Sequence, residues 1–296
     1  MTKYIYGQSA VSRNRHNHIL VFVIVLVVIA VLGGYKLVYS HKSLSTEADD
    51  PTSVASPQLD QLINTWAKSQ TFSSSVSVRE LTGPKRSANY SATTQIVPAS
   101  TYKLYVAYGV LHAVEQGKYQ LNNVISDGNT IQTDLTNMIV SSDDTAGRAL
   151  GFLIGWKNIN GLLANNGITS TNLYNYDAGG TTVVSDKHTT ASDLARFLTK
   201  LNNDNLLNHN GTQILLDFMK AQIYRQGIPA SIPSSVAVAD MPGWLTVAGG
   251  DGENVENDAA IIYGPKSTYV LAIATKGTQQ APIAGLSKQI YDFLQN

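Results

Sequence analysis

Ile19–Tyr35 (ILVFVIVLVVIAVLGGY) is an uncharged run of seventeen residues close to the N-terminus. It is apolar on every face, so it does not read as an amphipathic core helix. With Lys36 snorkelling and Leu37–Tyr39 continuing it, the run approaches the ~20 residues that span hydrocarbon. A cleaved secretory signal, apolar over ~7–15 residues and followed by a small-x-small site, fits less well, because Lys36, Tyr39 and His41 follow. We therefore expect an uncleaved signal anchor over residues 19–39, with cleavage as the alternative. Lys3, Arg13, Arg15, Lys36 and Lys42 precede Glu47, and no acid does. Of these, Lys3, Arg13 and Arg15 precede the run, which predicts residues 1–18 in the cytoplasm and the C-terminal bulk outside the cell. Residues 40–57, rich in Ser, Thr, Asp and Pro and without apolar periodicity, read as a linker. Folding is thereby confined to residues 58–296.

Composition narrows what that segment can be. Hydrophobic residues make up 43% of the chain, enough for a sizeable core, which excludes a wholly disordered protein. The 21 basic and 21 acidic residues balance, so nothing points to a nucleic-acid partner. The absence of cysteine excludes disulfides, thiolate metal sites, a Cys nucleophile and a lipidated Cys anchor. His112, His188 and His209 stand alone, and no His pair or acidic cluster has metal-ligand spacing, so no metal or cofactor is expected.

The apolar pattern alternates between the two regular periods. Leu59, Leu62, Ile63 and Trp66 predict a helix over 58–69. Phe72–Leu81 and Ser87–Ile96 read as strands turning at Gly83-Pro84. Thr101–Gly117 reads as a long helix, and further helices follow to about Gln222, one of them entered through Thr190-Ala191-Ser192-Asp193 as a variant capping box. Strand patterns return at Gly243–Ala248, Asn257–Tyr263 and Tyr269–Thr275. A last helix carries Ile283, Leu286, Ile290 and Leu294 on one stripe. Terminal helices and strands meeting across a central helical block predict one α+β domain of two lobes, an antiparallel sheet flanked by the terminal helices plus an all-helical lobe.

Within this frame the chemistry-bearing stretch is Val97-Pro98-Ala99-Ser100-Thr101-Tyr102-Lys103. Pro98 disfavours helix at Val97, so a helix starts near Ser100, with Ser100 and Lys103 one turn apart on one face. A serine hydroxyl becomes a nucleophile when a neighbouring base takes its proton, and a lysine desolvated by burial can be that base. Backbone N–H groups at the helix start can hold an oxyanion. The plain alternative is an N-cap serine beside a surface lysine. Thirty-nine residues after Lys103, Ser142-Asp143-Asp144-Thr145-Ala146 precedes another helical run.

The Ser-x-x-Lys helix start, the Ser-Asp-Asp-Thr-Ala loop, Lys187–Leu198 (KHTTASDLARFL) and the late strands 257–265 and 269–277 together resemble the class A serine β-lactamase and penicillin-binding-protein superfamily. The likeness covers about residues 58–296. It implies that Ser100 is the acyl-forming nucleophile, Lys103 its general base and Ser142 a proton relay. It also implies that the Ser100 N–H forms half of an oxyanion hole, with Asp251 supplying the other half.

Three positions depart from that pattern. Asp144 stands where the family has Asn, and an ionised carboxylate accepts hydrogen bonds but donates none. Ala248-Gly249-Gly250 stands where Lys-Thr-Gly is expected, so the cation that receives the substrate carboxylate is missing; Lys276 falls at a strand end and reads as a surface residue. Between Glu115 and Glu253 there is no glutamate, leaving Asp177 and Asp186 as the acids of the loop that usually carries the deacylating base. Asp144, Gly249, Gly250 and Asp251 are thus the expected substrate-binding positions. The resemblance implies a membrane-anchored extracellular serine hydrolase acting on β-lactams or D-alanyl cell-wall peptides with slow deacylation. The departures imply the alternative, a catalytically impaired cell-wall or protein-binding module.

Overall fold

The computed structural model describes residues 53–173, 175–176, 182–183, 187–246 and 254–296. The apolar run 19–35, the linker up to residue 52, Asp177, Asp186, Gly249, Gly250 and Asp251 lie outside them. Among the described residues no helix is long and apolar enough to cross a membrane.

A six-stranded sheet runs in the order β1-β3-β2-β8-β7-β6. Its strands are β1 (Val54–Ala55), β2 (Ser73–Glu80), β3 (Arg86–Tyr90), β6 (Ala237–Leu245), β7 (Val255–Tyr263) and β8 (Thr268–Lys276). A separate two-stranded ladder joins β4 (Asn175–Tyr176) to β5 (Thr182–Val183). The long strands pair antiparallel, as expected. Unexpectedly, β1 joins β3 in parallel, Val54 opposite Arg86, so the sheet is mixed.

Side chains alternate across the sheet with a period of two. Val76, Val78, Ala260, Ile262, Leu271 and Ile273 face the terminal helices α1 (Pro57–Lys68) and α8 (Ala281–Gln295), where Leu59, Ile63, Ile283, Leu286 and Ile290 complete that layer. Ser56 caps α1, its hydroxyl accepting the Leu59 N–H, and Pro57 occupies the first helical position. On the other face Met241, Ala259, Ile261, Val270 and Ala272 pack under the helical lobe. That lobe comprises α2 (Lys103–Glu115), α3 (Ile131–Val140), α4 (Asp144–Ile154), α5 (Trp156–Asn165), α6 (Ala191–Asn202) and α7 (His209–Lys220). Helix α2 is its axis: every residue from Lys103 to Leu111 is buried, so that stretch of the helix is covered on every side.

Two strand boundaries differ from expectation, each for a local reason. The strand expected over 87–96 ends at Tyr90, because Ser91 takes a left-handed backbone (φ 47°) that leaves the ladder. Ile96 instead forms an isolated bridge to Thr189, tying the chain before the nucleophile to the start of α6. Strand β6 starts at Ala237, six residues before the expected Gly243. Pro242 would ordinarily demote such a strand, and it is tolerated because β6 is the edge of the sheet.

Candidate active site

Ser100 lies in a 3₁₀ turn, Ala99–Tyr102, that feeds directly into α2 at Lys103. Side-chain hydrogen bonds hold the segment before it. The Asn257 amide on β7 donates to Val97 O (2.8 Å) and Pro98 O (3.1 Å), and Thr101 Oγ1 donates to Pro98 O (2.6 Å). Ala99 is thereby held at φ 46°, a region that costs a non-glycine residue of order 1 kcal/mol. Strand β6 closes on the same turn. A Cβ at Gly243 would fall 2.7 Å from both the Ser100 and Thr101 nitrogens, so only glycine permits this approach.

Lys103 is fully buried, and its ammonium is surrounded by oxygen. Nζ lies 3.0 Å from Ser100 Oγ, 3.0 Å from Ser142 Oγ, 2.5 Å from Ser142 O and 2.7 Å from Asp144 Oδ1. Ser142 reaches this position from the α3–α4 connection in a left-handed conformation (φ 55°), while Asp143 caps α4 by accepting the Thr145 and Ala146 N–H groups. Gly147, one turn into α4, leaves room for the lysine stem: a Cβ there would sit 3.4 Å from Lys103 Cε and 3.0 Å from the Tyr102 hydroxyl. Ser100, Lys103, Ser142 and Asp144 therefore lie together, Ser100 and Lys103 as their spacing predicts and Ser142 and Asp144 as the resemblance implies.

Burial pushes the Lys103 pKa down, and the Asp144 carboxylate beside it pulls the other way without cancelling the effect. The net result favours a lysine that gives up its proton more readily than a solvated one. The Ser100 N–H donates to no acceptor among the described residues.

Four contributors escaped the sequence reading. Asn257 and Gly243 position the nucleophile turn, and Gly147 admits the lysine. The fourth is Lys187, whose Nζ sits 3.1 Å from the centre of the Tyr102 ring. Burial, and then the nearby Lys103 charge, bring its pKa down to about 7, although the ring face and Asp144 favour the ammonium. Lys187 opens the stretch 187–198 that carries part of the resemblance, but nothing in that pattern gives the lysine itself a role. The fold delivers it through the bridges Asn172–His188 and Ile96–Thr189. Lys276, by contrast, is exposed at the end of β8, as expected.

Comparison with known proteins agrees with this architecture. None of the curated proteins matches the chain. Among solved structures, PBP-A aligns with TM-score 0.69 at 21% identity, covering 82% of this chain and 98% of that one. A β-lactamase from Chitinophaga pinensis aligns with TM-score 0.72 at 18% identity, covering 80% and 99%. TLA-3 extended-spectrum β-lactamase aligns with TM-score 0.71 at 16% identity, covering 81% and 99%. These likenesses establish the fold. A model of the beta-lactamase enzyme family matches residues 57–294, which take in the sheet from β2 to β8 and the Ser100–Lys103–Ser142 cluster, so the chain belongs to that family.

Proposed function

We propose that the protein is a serine acyl-transfer enzyme acting on β-lactams or D-alanyl cell-wall peptides. The observation that carries this reading is the Lys103 amine, 3.0 Å from the Ser100 hydroxyl and 3.0 Å from that of Ser142. In the proposed step Lys103 takes the Ser100 proton as Oγ bonds to the amide carbon. The C–N bond then breaks, and the proton passes through Ser142 to the leaving nitrogen. In this reading the Ser100 N–H receives the developing oxyanion. Lys187 supplies, in this reading, the cation that meets the substrate carboxylate in place of the missing third-motif lysine.

The acyl-enzyme is expected to persist, because no glutamate lies between Glu115 and Glu253 to activate a deacylating water. A single-residue mutant of PBP-A has been captured as an acyl-enzyme complex with penicillin G, a precedent on the same fold. The uncharged run 19–35 supports a membrane anchor holding the domain outside the cell.

The test is intact-mass analysis after incubation with a penicillin, beside Ser100→Ala. A stable adduct on the unchanged protein alone is expected; no adduct on either would leave the binding-module reading. Fast hydrolysis of a chromogenic cephalosporin, lost in Ser100→Ala, would refute slow deacylation.

A further inference from the structure

A small pocket of about 170 Å³ lies at the outer edge of the sheet, one residue from the point where β6 touches Ser100. Strand β6 is that edge, and side chains alternate across it. Gly243 faces Ser100, so its neighbours Pro242 and Trp244 face the opposite way, toward the terminal-helix layer. Glu256 stands opposite Trp244 in the β6–β7 register and shares that face. Tyr224 and Gln226, from the segment after α7, and Gln280, just before α8, complete the lining. The Tyr224 and Trp244 rings are 5.0 Å apart at 71°, which leaves a corner walled by a face of each. Trp244 is 37% exposed, so solvent reaches that corner. Glu256 is partly buried. Among the described residues its carboxylate accepts one hydrogen bond, from Gln280 Nε2 at 2.5 Å, and meets no cation. Burial pushes its pKa up, and the Gln280 amide opposes this only in part. Arg225, between Tyr224 and Gln226, directs its guanidinium to Asp240 Oδ1 and Val238 O instead.

We propose that this pocket binds an ammonium group and, resting on the acyl-transfer reading above, that the group belongs to the substrate. Aromatic faces attract a cation through their quadrupoles, and a carboxylate without a cation completes the charge match. An anion would meet Glu256 with the same sign. An apolar group would desolvate that carboxylate further without pairing it. The volume falls below the ~300 Å³ at which sites for whole ligands begin, so the pocket suits one group of a larger molecule. Because β6 is an edge strand, a substrate lying along it past Gly243 presents groups to both faces of the sheet. Lys187 packs on Tyr102 in the helical-lobe layer, and Glu256 lies on the other face. The two then hold opposite charges of one substrate, a peptide carrying both a carboxylate and a free amine.

The site itself is tested by fluorescence titration of the full-length protein with butylammonium at pH 8 and constant ionic strength. At that pH an alkylamine keeps its proton, as lysine does with a pKa of ~10.4. Trp66 and Trp156 are buried, so Trp244 is the tryptophan the probe reaches. A saturable change in emission with a dissociation constant on the order of 10 mM is expected, and none with butanol or butyrate. Glu256→Gln should weaken binding roughly fivefold, and Tyr224→Leu by about as much. No saturable response at tenfold that concentration, an equal response to butanol, or undiminished affinity in both variants would overturn the site. Its link to the reaction is tested by acylation of Ser100, with release of the thiol, by an acetyl-lysyl-D-alanyl thioester and by its norleucine counterpart. The lysyl donor should react about fivefold faster with the unchanged protein, and the ratio should fall toward one in Glu256→Gln. Equal rates with the unchanged protein would overturn the assignment of the ammonium to the substrate. If neither thioester nor a penicillin acylates Ser100, the acyl-transfer reading has failed, and the butylammonium titration alone decides the ammonium site.

Discussion

Lys103 Nζ and Asp144 Oδ1 are 2.7 Å apart, yet the lysine side chain is completely buried while that of the aspartate is 74% exposed. The pair is thus lopsided. The lysine bears the full desolvation penalty of its charge, and the carboxylate opposing that penalty is screened by water. Replacing the carboxylate with the amide usual in the family should lower the Lys103 pKa further. More of the lysine is then neutral at pH 7, by about tenfold for each pKa unit removed. Asp144→Asn is expected to acylate faster with a penicillin at pH 6–7, with the gain shrinking toward pH 10 as Lys103 deprotonates in both proteins. Equal rates across that range would show that Asp144 does not govern the base.

The close approach of β6 to the nucleophile turn gives a steric prediction. At Gly243 an added Cβ would meet backbone nitrogens at 2.7 Å and Pro98 O at 3.1 Å, and backbone cannot swing aside as a side chain does. Gly243→Ala should separate the strand from Ser100, costing about 1–3 kcal/mol of stability and roughly a hundredfold or more in acylation rate. A melting temperature and rate matching the unchanged protein would mean that β6 yields without disturbing the site.

These two residues show what could be read from the chain alone. Asp144 was legible because Ser142-Asp143-Asp144 is contiguous and caps a helix whose start shows in the sequence. Gly243 was not. The resemblance calls for a lysine-containing triplet, Ala248-Gly249-Gly250 stands at the expected place, and the strand pattern starts at Gly243, the residue that lies against Ser100. Pro242 disguises the strand before it, since proline reads as a breaker until the edge position of β6 is known. The roles of Lys187 and Asn257 were invisible for another reason. Each acts on the site across more than eighty residues of sequence, through register and burial that no local pattern encodes. The terminal helices were legible because their apolar stripes keep the helical period, and the central strands because, buried on both faces, they read as continuous apolar runs.

Asp240 and Asp258 are both fully buried, and Arg225, 3.0 Å from Asp240, is the cation paired with them. Burial raises both carboxyls, Asp258 to about 7, and the Asp258 charge pushes Asp240 well above the carboxylate range. The folded protein therefore binds more protons than the unfolded chain between about pH 4 and 7, and stability falls as pH rises through that window. Asp258→Asn keeps an acceptor for the Ile228 N–H and removes one charge. It should raise the melting temperature at pH 8 by a few degrees and flatten the decline from pH 5 to 7. An unaltered pH profile would refute this assignment.

Lys187 gives the opposite slope in a separate window and also tests the proposed substrate contact. Its pKa is depressed to about 7, so above that pH the folded protein binds fewer protons than the unfolded chain. Its contribution makes stability rise from pH 7 toward the ordinary lysine value near 10.4. Lys187→Met preserves an apolar stem beside the Tyr102 ring and should flatten that rise. The activity consequence has the same midpoint. Below pH 7 the ammonium is present to attract a penicillin carboxylate; above it the charge is lost. Acylation of the unchanged protein should exceed that of Lys187→Met roughly fivefold at pH 6, the effect of about 1 kcal/mol of ion pairing, and the two should converge by pH 8.5. The methyl ester of the same penicillin carries no carboxylate and should show no difference at either pH. A ratio that persists for the ester would mean that Lys187 shapes the pocket rather than binding the anion, and a ratio of one for the acid at pH 6 would remove it from the site altogether.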